Sequence, residues 1–148
     1  MSIYVETEDL KQILRDITCD YWVKASNDRV ISKYWNFADA AYYLPDRGEI
    51  AGIVKSNPVK TPRIDNESFD CDDYSFVLKG LICSYTRDFL SIEHSICFGI
   101  AWGTFEWADG YHCCNWVLDS DGNFWWVEPR DGTFHPVEEC RELKLLLV

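Results

Sequence analysis

From Thr7 onward the apolar positions Leu10, Ile13, Leu14, Ile17 and Tyr21 recur at three- and four-residue spacing. That spacing puts them on one stripe of an amphipathic helix. Thr7 stands where a cap belongs, and Glu8 and Asp9 fall in the first turn, where carboxylates meet the positive end of the helix dipole. Residues 24–68 follow no single period. Val30 and Ile31 read as the opening of a short strand, Asp39 to Tyr43 as a short helix, and Pro45, Gly48, Pro58 and Pro62 as punctuation. Helical spacing returns at Tyr74, Val77, Leu78, Leu81 and Ile82, which makes Asp70 an N-cap and puts Cys71 in the first turn. Asp73 then occupies the acidic place of a capping box. Beyond Asp88 the chain turns to runs rich in aromatic and β-branched residues, Ser95 to Phe105, Tyr111 to Asp119 and Asn123 to Glu128, which predict strands. Helix, helix and meander predict the α+β class, N-terminal helices packed on an antiparallel β-meander, as a single domain over residues 1–148.

The last two strands meet in a turn whose length decides which side chains share a face. A two-residue loop at Asp121-Gly122 would pair Ser120 with Asn123 and turn Glu128 away from His112. A three-residue loop pairs Asp119 with Asn123 and brings Glu128 to the face of His112, diagonal to it at about 7–8 Å between backbones. Gly122, third in that loop, suits the left-handed conformation of a G1 bulge, so the three-residue loop is expected.

Composition adds a well-stocked core: 47% of the 148 residues are hydrophobic and 16% aromatic, too many for a disordered chain. The net charge of −11 disfavours direct contact with a phosphate backbone. It also keeps open an acidic module that binds or inhibits a partner protein. The first nine residues lack the basic and apolar regions of a signal peptide, no stretch has the apolar length of a membrane span, and the seven cysteines show no disulfide spacing. A cytoplasmic protein with reduced thiols is therefore expected. Zinc is disfavoured, because Cys113 and Cys114 point to opposite faces of one strand and cannot both join His112 around one ion.

One of these thiols has a setting for chemistry. At a helix start, Cys71 meets the positive end of the dipole, and backbone N–H groups there can hold a developing anion. Asp70, Asp72 and Asp73 oppose ionisation, so an imidazolium is needed beside it. Of three histidines, His112 opens a strand after the turn-like Trp107-Ala108-Asp109-Gly110; His94 and His135 have no such setting. Taken singly, Cys71 also reads as a buried helix-start residue, Glu128 as an ordinary sheet residue, and Trp116, Trp125 and Trp126 as core packing.

Together, Phe69-Asp70-Cys71-Asp72-Asp73-Tyr74, His112-Cys113-Cys114-Asn115 and Trp126-Val127-Glu128-Pro129 resemble the three blocks of transglutaminase-like cysteine proteins of the papain-fold superfamily. The resemblance covers roughly residues 65–132. It implies a papain/transglutaminase-like core and a triad of Cys71 as nucleophile, His112 as base and Glu128 as the acid that orients it. It further implies a hydrolase or acyltransferase acting on an amide, ester or isopeptide bond without a cofactor. This sequence departs from the blocks in carrying Glu128 where Asp is usual, and the pair Cys113-Cys114 after the histidine. Asn66, Asp72, Trp102 and Asn115 are candidates for the oxyanion and substrate contacts. Asp65, Glu67, Asp70, Asp72 and Asp73 surround the thiol with negative charge, from which a cationic peptide, isopeptide or amine-bearing substrate is expected.

Overall fold

In the computed structural model, residues 3–22, 35–57, 70–90 and 92–148 are described. The expected first helix is α1 (Thr7–Thr18), preceded by a short strand β1 (Tyr4–Glu6). Leu10 and Leu14 are its buried residues, together with Thr18, whose hydroxyl donates to the Leu14 carbonyl at 2.6 Å and accepts from the Trp22 indole at 2.8 Å. Thr7 does not cap. Glu6 holds that place, and the Thr7 hydroxyl donates to the Asp39 carbonyl across the fold.

Between α1 and the second expected helix lie β2 (Trp35–Asn36), β3 (Ala41–Tyr43) and α2 (Arg47–Lys55). The helix expected over Asp39 to Tyr43 is instead β3, because Ala41 and Tyr42 are buried as a strand between β1 and a later strand. Helix α2 starts two residues after Pro45, and between them the Asp46 carboxylate caps it, accepting from the N–H groups of Gly48 and Glu49 at 2.8 and 3.2 Å. Pro45 and Gly48, read as punctuation, thus flank the start of a helix, while Pro58 and Pro62 lie outside the described residues. The strand expected at Val30 and Ile31 lies outside the described residues.

Helix α3 (Cys71–Tyr85) begins at Asp70, whose backbone N–H donates to the Asp73 carboxylate at 3.1 Å. After a π-helical turn, Thr86–Leu90, come β4 (Ser95–Ile96), β5 (Phe98–Phe105), β6 (Tyr111–Leu118), β7 (Phe124–Val127), β8 (Phe134–Pro136) and β9 (Cys140–Leu147). Strands β1, β3 and β4 form a small sheet; the large one has the order β2-β9-β5-β6-β7-β8, with β2 parallel to β9 and the other pairs antiparallel.

The expected architecture is therefore corrected. The molecule is mostly β, with few helices, and its centre is a mixed six-stranded sheet rather than the meander of a papain/transglutaminase-like core with N-terminal helices packed on it. Leu10 and Leu14 of α1 pack on one face with Ala101, Phe105, Cys114, Trp116, Trp126 and Leu143. On the other, Ile50 and Val54 of α2 and Leu78 and Ile82 of α3 pack with Phe98, Val117 and Val127. Strand β9 causes much of the difference: its leucines follow no clean alternation, yet it pairs along the edge of β5 opposite β6, where no strand was expected. Gly99 permits that approach, since a Cβ there would lie 2.0 Å from the Leu147 carbonyl oxygen and 2.3 Å from the Trp116 indole nitrogen.

The β6–β7 turn has the three-residue form. Asp119 N–H donates to the Asn123 carbonyl at 2.9 Å, Gly122 N–H to the Asp119 carbonyl at 3.0 Å, and Gly122 has φ 82°. Asn115 pairs with Val127 and Trp116 with Trp126, so one step further along this register Glu128 stands beside Cys114, on the face of His112.

Candidate functional site

Three elements converge where α3 meets the beginning of β6. Cys71, half-buried, is the first residue of α3; His112 is the second residue of β6 and 9% exposed; Glu128 follows β7 directly and is 6% exposed. His112 Nε2 lies 2.6 Å from Glu128 Oε2. That leaves the other ring nitrogen for the hydrogen bond that joins His112 to the Cys71 thiol. The backbone N–H of the next residue, Cys113, also donates to the Cys71 sulfur. The thiol is thus reached by the side chain of one strand residue and the amide of its neighbour, although their side chains point to opposite faces.

Glu128 is held from several sides. Oε2 also accepts from the Trp107 indole at 3.2 Å, and Oε1 from the Arg130 N–H at 3.1 Å. Burial would raise its pKa, but the hydrogen bond and charge of His112 outweigh burial and lower it. Burial likewise acts to depress the His112 pKa, yet hydrogen bonds to Cys71 and Glu128 lift it to about 9. The Cys71 pKa is lowered, first by its hydrogen bond with His112, against burial, and with help from the Cys113 N–H. These shifts together favour a thiolate beside an imidazolium, a charge-assisted pair in which sulfur is the nucleophile. Burial pushes the Cys97 and Cys140 thiols up to about 12 and also raises those of Cys113 and Cys114.

The remaining expected contacts divide. Asn115 is fully buried and its amide donates to the Ser75 and Gly99 carbonyls, both at 3.0 Å, so it ties α3 to the sheet and does not face a ligand. Trp102 sits opposite Cys113 in register and meets Phe76 of α3 with ring centroids 6.0 Å apart. Asp72 hydrogen-bonds Asp70, which raises the Asp72 pKa. Ligand atoms of Asp70, Cys71 and Asp72 come within 4.8 Å of one another, the set among the described residues that could approach a cation. Asn66, Asp65 and Glu67 lie outside the described residues.

Sequence reasoning missed Arg130 and the Cys113 amide, whereas Trp107, which the sequence sets at a hairpin tip where it could line a cleft, does line one. A cleft of about 410 Å³ opens on the far side of the His112–Glu128 pair, lined by Trp107, Ala108, Asp109, His112, Glu128, Arg130 and Asp131. The Trp107 indole is stacked on His135 at 4.0 Å and packs on Phe105 at 4.6 Å, so its role is to orient Glu128 through its N–H. The signal for Trp107 was present in the sequence, as an aromatic residue with a polar edge in the turn before His112.

A family model described as Agglutinin C-terminal matches residues 42–134. No curated protein matches the chain. Among solved structures, a PSL1a-E64 complex superposes with a TM-score of 0.78 at 19% identity, over 99% of this chain and 51% of that one. Polyporus squamosus lectin bound to the human-type influenza-binding epitope Neu5Aca2-6Galb1-4GlcNAc gives 0.75 at 18% identity, over 99% and 50%. The chain thus spans about half the length of these proteins.

These matches overturn the resemblance to transglutaminase-like cysteine proteins, which rested on three short blocks, whereas the agglutinin model runs continuously through all of them. The readings drawn from it are corrected too. A cysteine hydrolase or acyltransferase with an amide, ester or isopeptide bond as target, a cationic peptide or amine-bearing substrate, and a papain-fold binding module or inhibitor all give way to a chain whose matches are agglutinin and lectin.

Proposed function

Because the chain belongs to the agglutinin C-terminal family, we propose that it works within a glycan-binding protein of the lectin type. Its own working part is the centre formed by Cys71, His112 and Glu128, a thiolate that captures an electrophilic ligand. The hydrogen-bonded run from the Cys71 thiol through the His112 ring to the buried Glu128 carboxylate carries this reading. The neighbour in complex with E64 and the neighbour in complex with a sialylated glycan support its two halves.

Capture of an epoxide balances on these residues. The Cys71 thiolate sulfur bonds to an epoxide carbon, the carbon–oxygen bond breaks, and the oxygen takes the proton of the His112 imidazolium. Glu128 holds that ring by the hydrogen bond at Nε2. What is proposed is binding and capture, not acyl transfer.

The test is incubation with E64 followed by intact-mass and peptide analysis. One adduct per chain, on Cys71, lost in Cys71→Ala and slowed in His112→Ala, is the expected result. No adduct, or an adduct shared evenly with the exposed Cys19 and Cys83, overturns it. For the glycan half, the full-length protein is expected to bind Neu5Aca2-6Galb1-4GlcNAc equally well with and without Cys71→Ala; no binding in either form removes that half.

A further inference from the structure

Around Glu128 the contacts form a closed circuit that begins and ends on that residue. Its backbone N–H donates to the Thr133 carbonyl at 2.9 Å, across the turn that follows β7. The Thr133 hydroxyl in turn lies 2.8 Å from His135 Nε2. The His135 ring is stacked on the Trp107 indole, with centroids 4.0 Å apart and planes 8° from parallel. The indole N–H then donates at 3.2 Å to Glu128 Oε2, the same oxygen that holds His112 Nε2 at 2.6 Å.

His135 is held at both edges of its ring. Nδ1 lies 2.7 Å from Glu139 Oε2 and Nε2 is engaged by Thr133, so the ring cannot turn about its Cβ–Cγ bond without breaking a contact. Each tether is anchored as well. The Glu139 carbonyl accepts from the Glu106 N–H at 2.8 Å, which ties the 3-10 turn Val137–Glu139 to the residue before Trp107. Asp131 Oδ1 accepts from the Thr133 N–H at 2.9 Å and from its hydroxyl at 2.6 Å. Cross-strand pairing with Trp126 sets His135 in register on β8.

Trp107 has no strand of its own to hold it, since it stands in the turn between β5 and β6. Phe105 covers one face of the indole at 4.6 Å and His135 the other. An indole carries a single donor at one point of its edge, so a small tilt of the ring takes the N–H off its acceptor. Two flat rings on either side remove that tilt.

We propose that His135 is a positioning residue of the Cys71 centre: clamped by Glu139 and Thr133, it fixes the plane of Trp107 and so aims the indole N–H at the Glu128 oxygen that holds His112. The proposal rests on the capture reading and adds to it the device that keeps Glu128 in place. His135 acts through Trp107 on Glu128, and through Glu128 on the ring that serves the thiol.

The experiment measures second-order rates of E64 adduct formation on Cys71 at pH 7, with urea midpoints as a check on folding. His135→Ala is expected to slow capture about tenfold, within the range that a small misplacement of a reacting group costs. Trp107→Phe, which keeps a ring and removes the N–H, should slow it by a similar factor. The double variant should be no slower than either single one, because both changes remove the same contact on Glu128. His135→Phe restores a flat ring against the indole and should recover most of the rate. Thr133→Val, at an exposed position, cuts one tether while the stack stays, and should cost about threefold. Unaltered rates in both His135→Ala and Thr133→Val, or losses from His135→Ala and Trp107→Phe that multiply in the double variant, overturn the clamp while leaving capture intact. Absence of any Cys71 adduct in the unaltered protein overturns the capture reading and the clamp with it.

Discussion

His112 is the residue on which the site turns, because it touches the thiol on one side and a buried carboxylate on the other. The Cys71 pKa is lowered chiefly by that contact, so His112→Ala should slow alkylation of Cys71 by iodoacetamide at pH 7 about tenfold or more, one pKa unit being a factor of ten in thiolate. In the unaltered protein the rate should already be high well below an ordinary thiol pKa of about 8.5 and stay level until His112 deprotonates near pH 9. A rate that climbs in proportion to hydroxide through that whole range would contradict the ion pair. Glu128 gives an acid-side signature. Its folded pKa lies below the unfolded value, so its stabilisation is present above the unfolded pKa and is lost as pH falls through the folded one. Thermal melts from pH 6 to pH 3 should therefore show a steeper loss of stability in the unaltered protein than in Glu128→Gln.

Among the elements, the β6–β7 turn does the most for the site, since its length sets the face on which Glu128 emerges. Asp119 holds that length: Oδ1 accepts from the N–H groups of Asp121 and Asn123 at 3.0 and 2.8 Å, and Oδ2 from the Trp125 indole at 3.0 Å. Asp119 is 2% exposed, so Asp119→Ala leaves these donors without their acceptor and should cost about 2–3 kcal/mol in a urea melt. Gly122→Ala acts on the same turn through the backbone, where φ is 82°, and should cost about 1–2 kcal/mol. A variant stabilised by either change would mean that the turn relaxes to another form. Helix α3 has a comparable local logic, with Asp73 accepting from the Asp70 N–H just before Cys71 enters the first turn.

At the scale of the whole molecule, the large sheet shields four thiols and leaves three in reach. Cys97, Cys113, Cys114 and Cys140 are buried, whereas Cys19, Cys71 and Cys83 are not. Titration with a thiol reagent should count three groups in the native protein, Cys71 reacting first, and seven after denaturation. More than three in the native state would show that the sheet opens readily. The packing of β9 on β5 is most sensitive at Gly99, where an added Cβ meets the backbone oxygen of Leu147 and the Trp116 ring. Neither can swing aside, so Gly99→Ala should cost about 3 kcal/mol or more and loosen the C-terminal strand, read by urea melt and by hydrogen exchange over 140–147.

Local chemistry was written in the chain itself. The stripe from Leu10 to Ile17, the Asp70 cap, the strand runs and the three-residue turn follow from short-range sterics and hydrogen bonding, which a few neighbouring residues determine. The juxtaposition of His112 with Glu128 was legible for the same reason, since two strands and one turn fix it. Short-range pattern could not show that Asp39 to Tyr43 would be claimed by a sheet, that Asp46 would start a helix, or that β9 would pair with β5. Nor could it show that a Trp107 indole N–H and a Cys113 amide would finish the site. Those outcomes depend on which distant segments bury one another. Three short blocks of residues suggested one family, and the continuous match through residues 42–134 placed the chain in another. Sequence determined most of the elements and the groups able to react; tertiary packing decided the sheet order and the contacts that complete the site around Glu128.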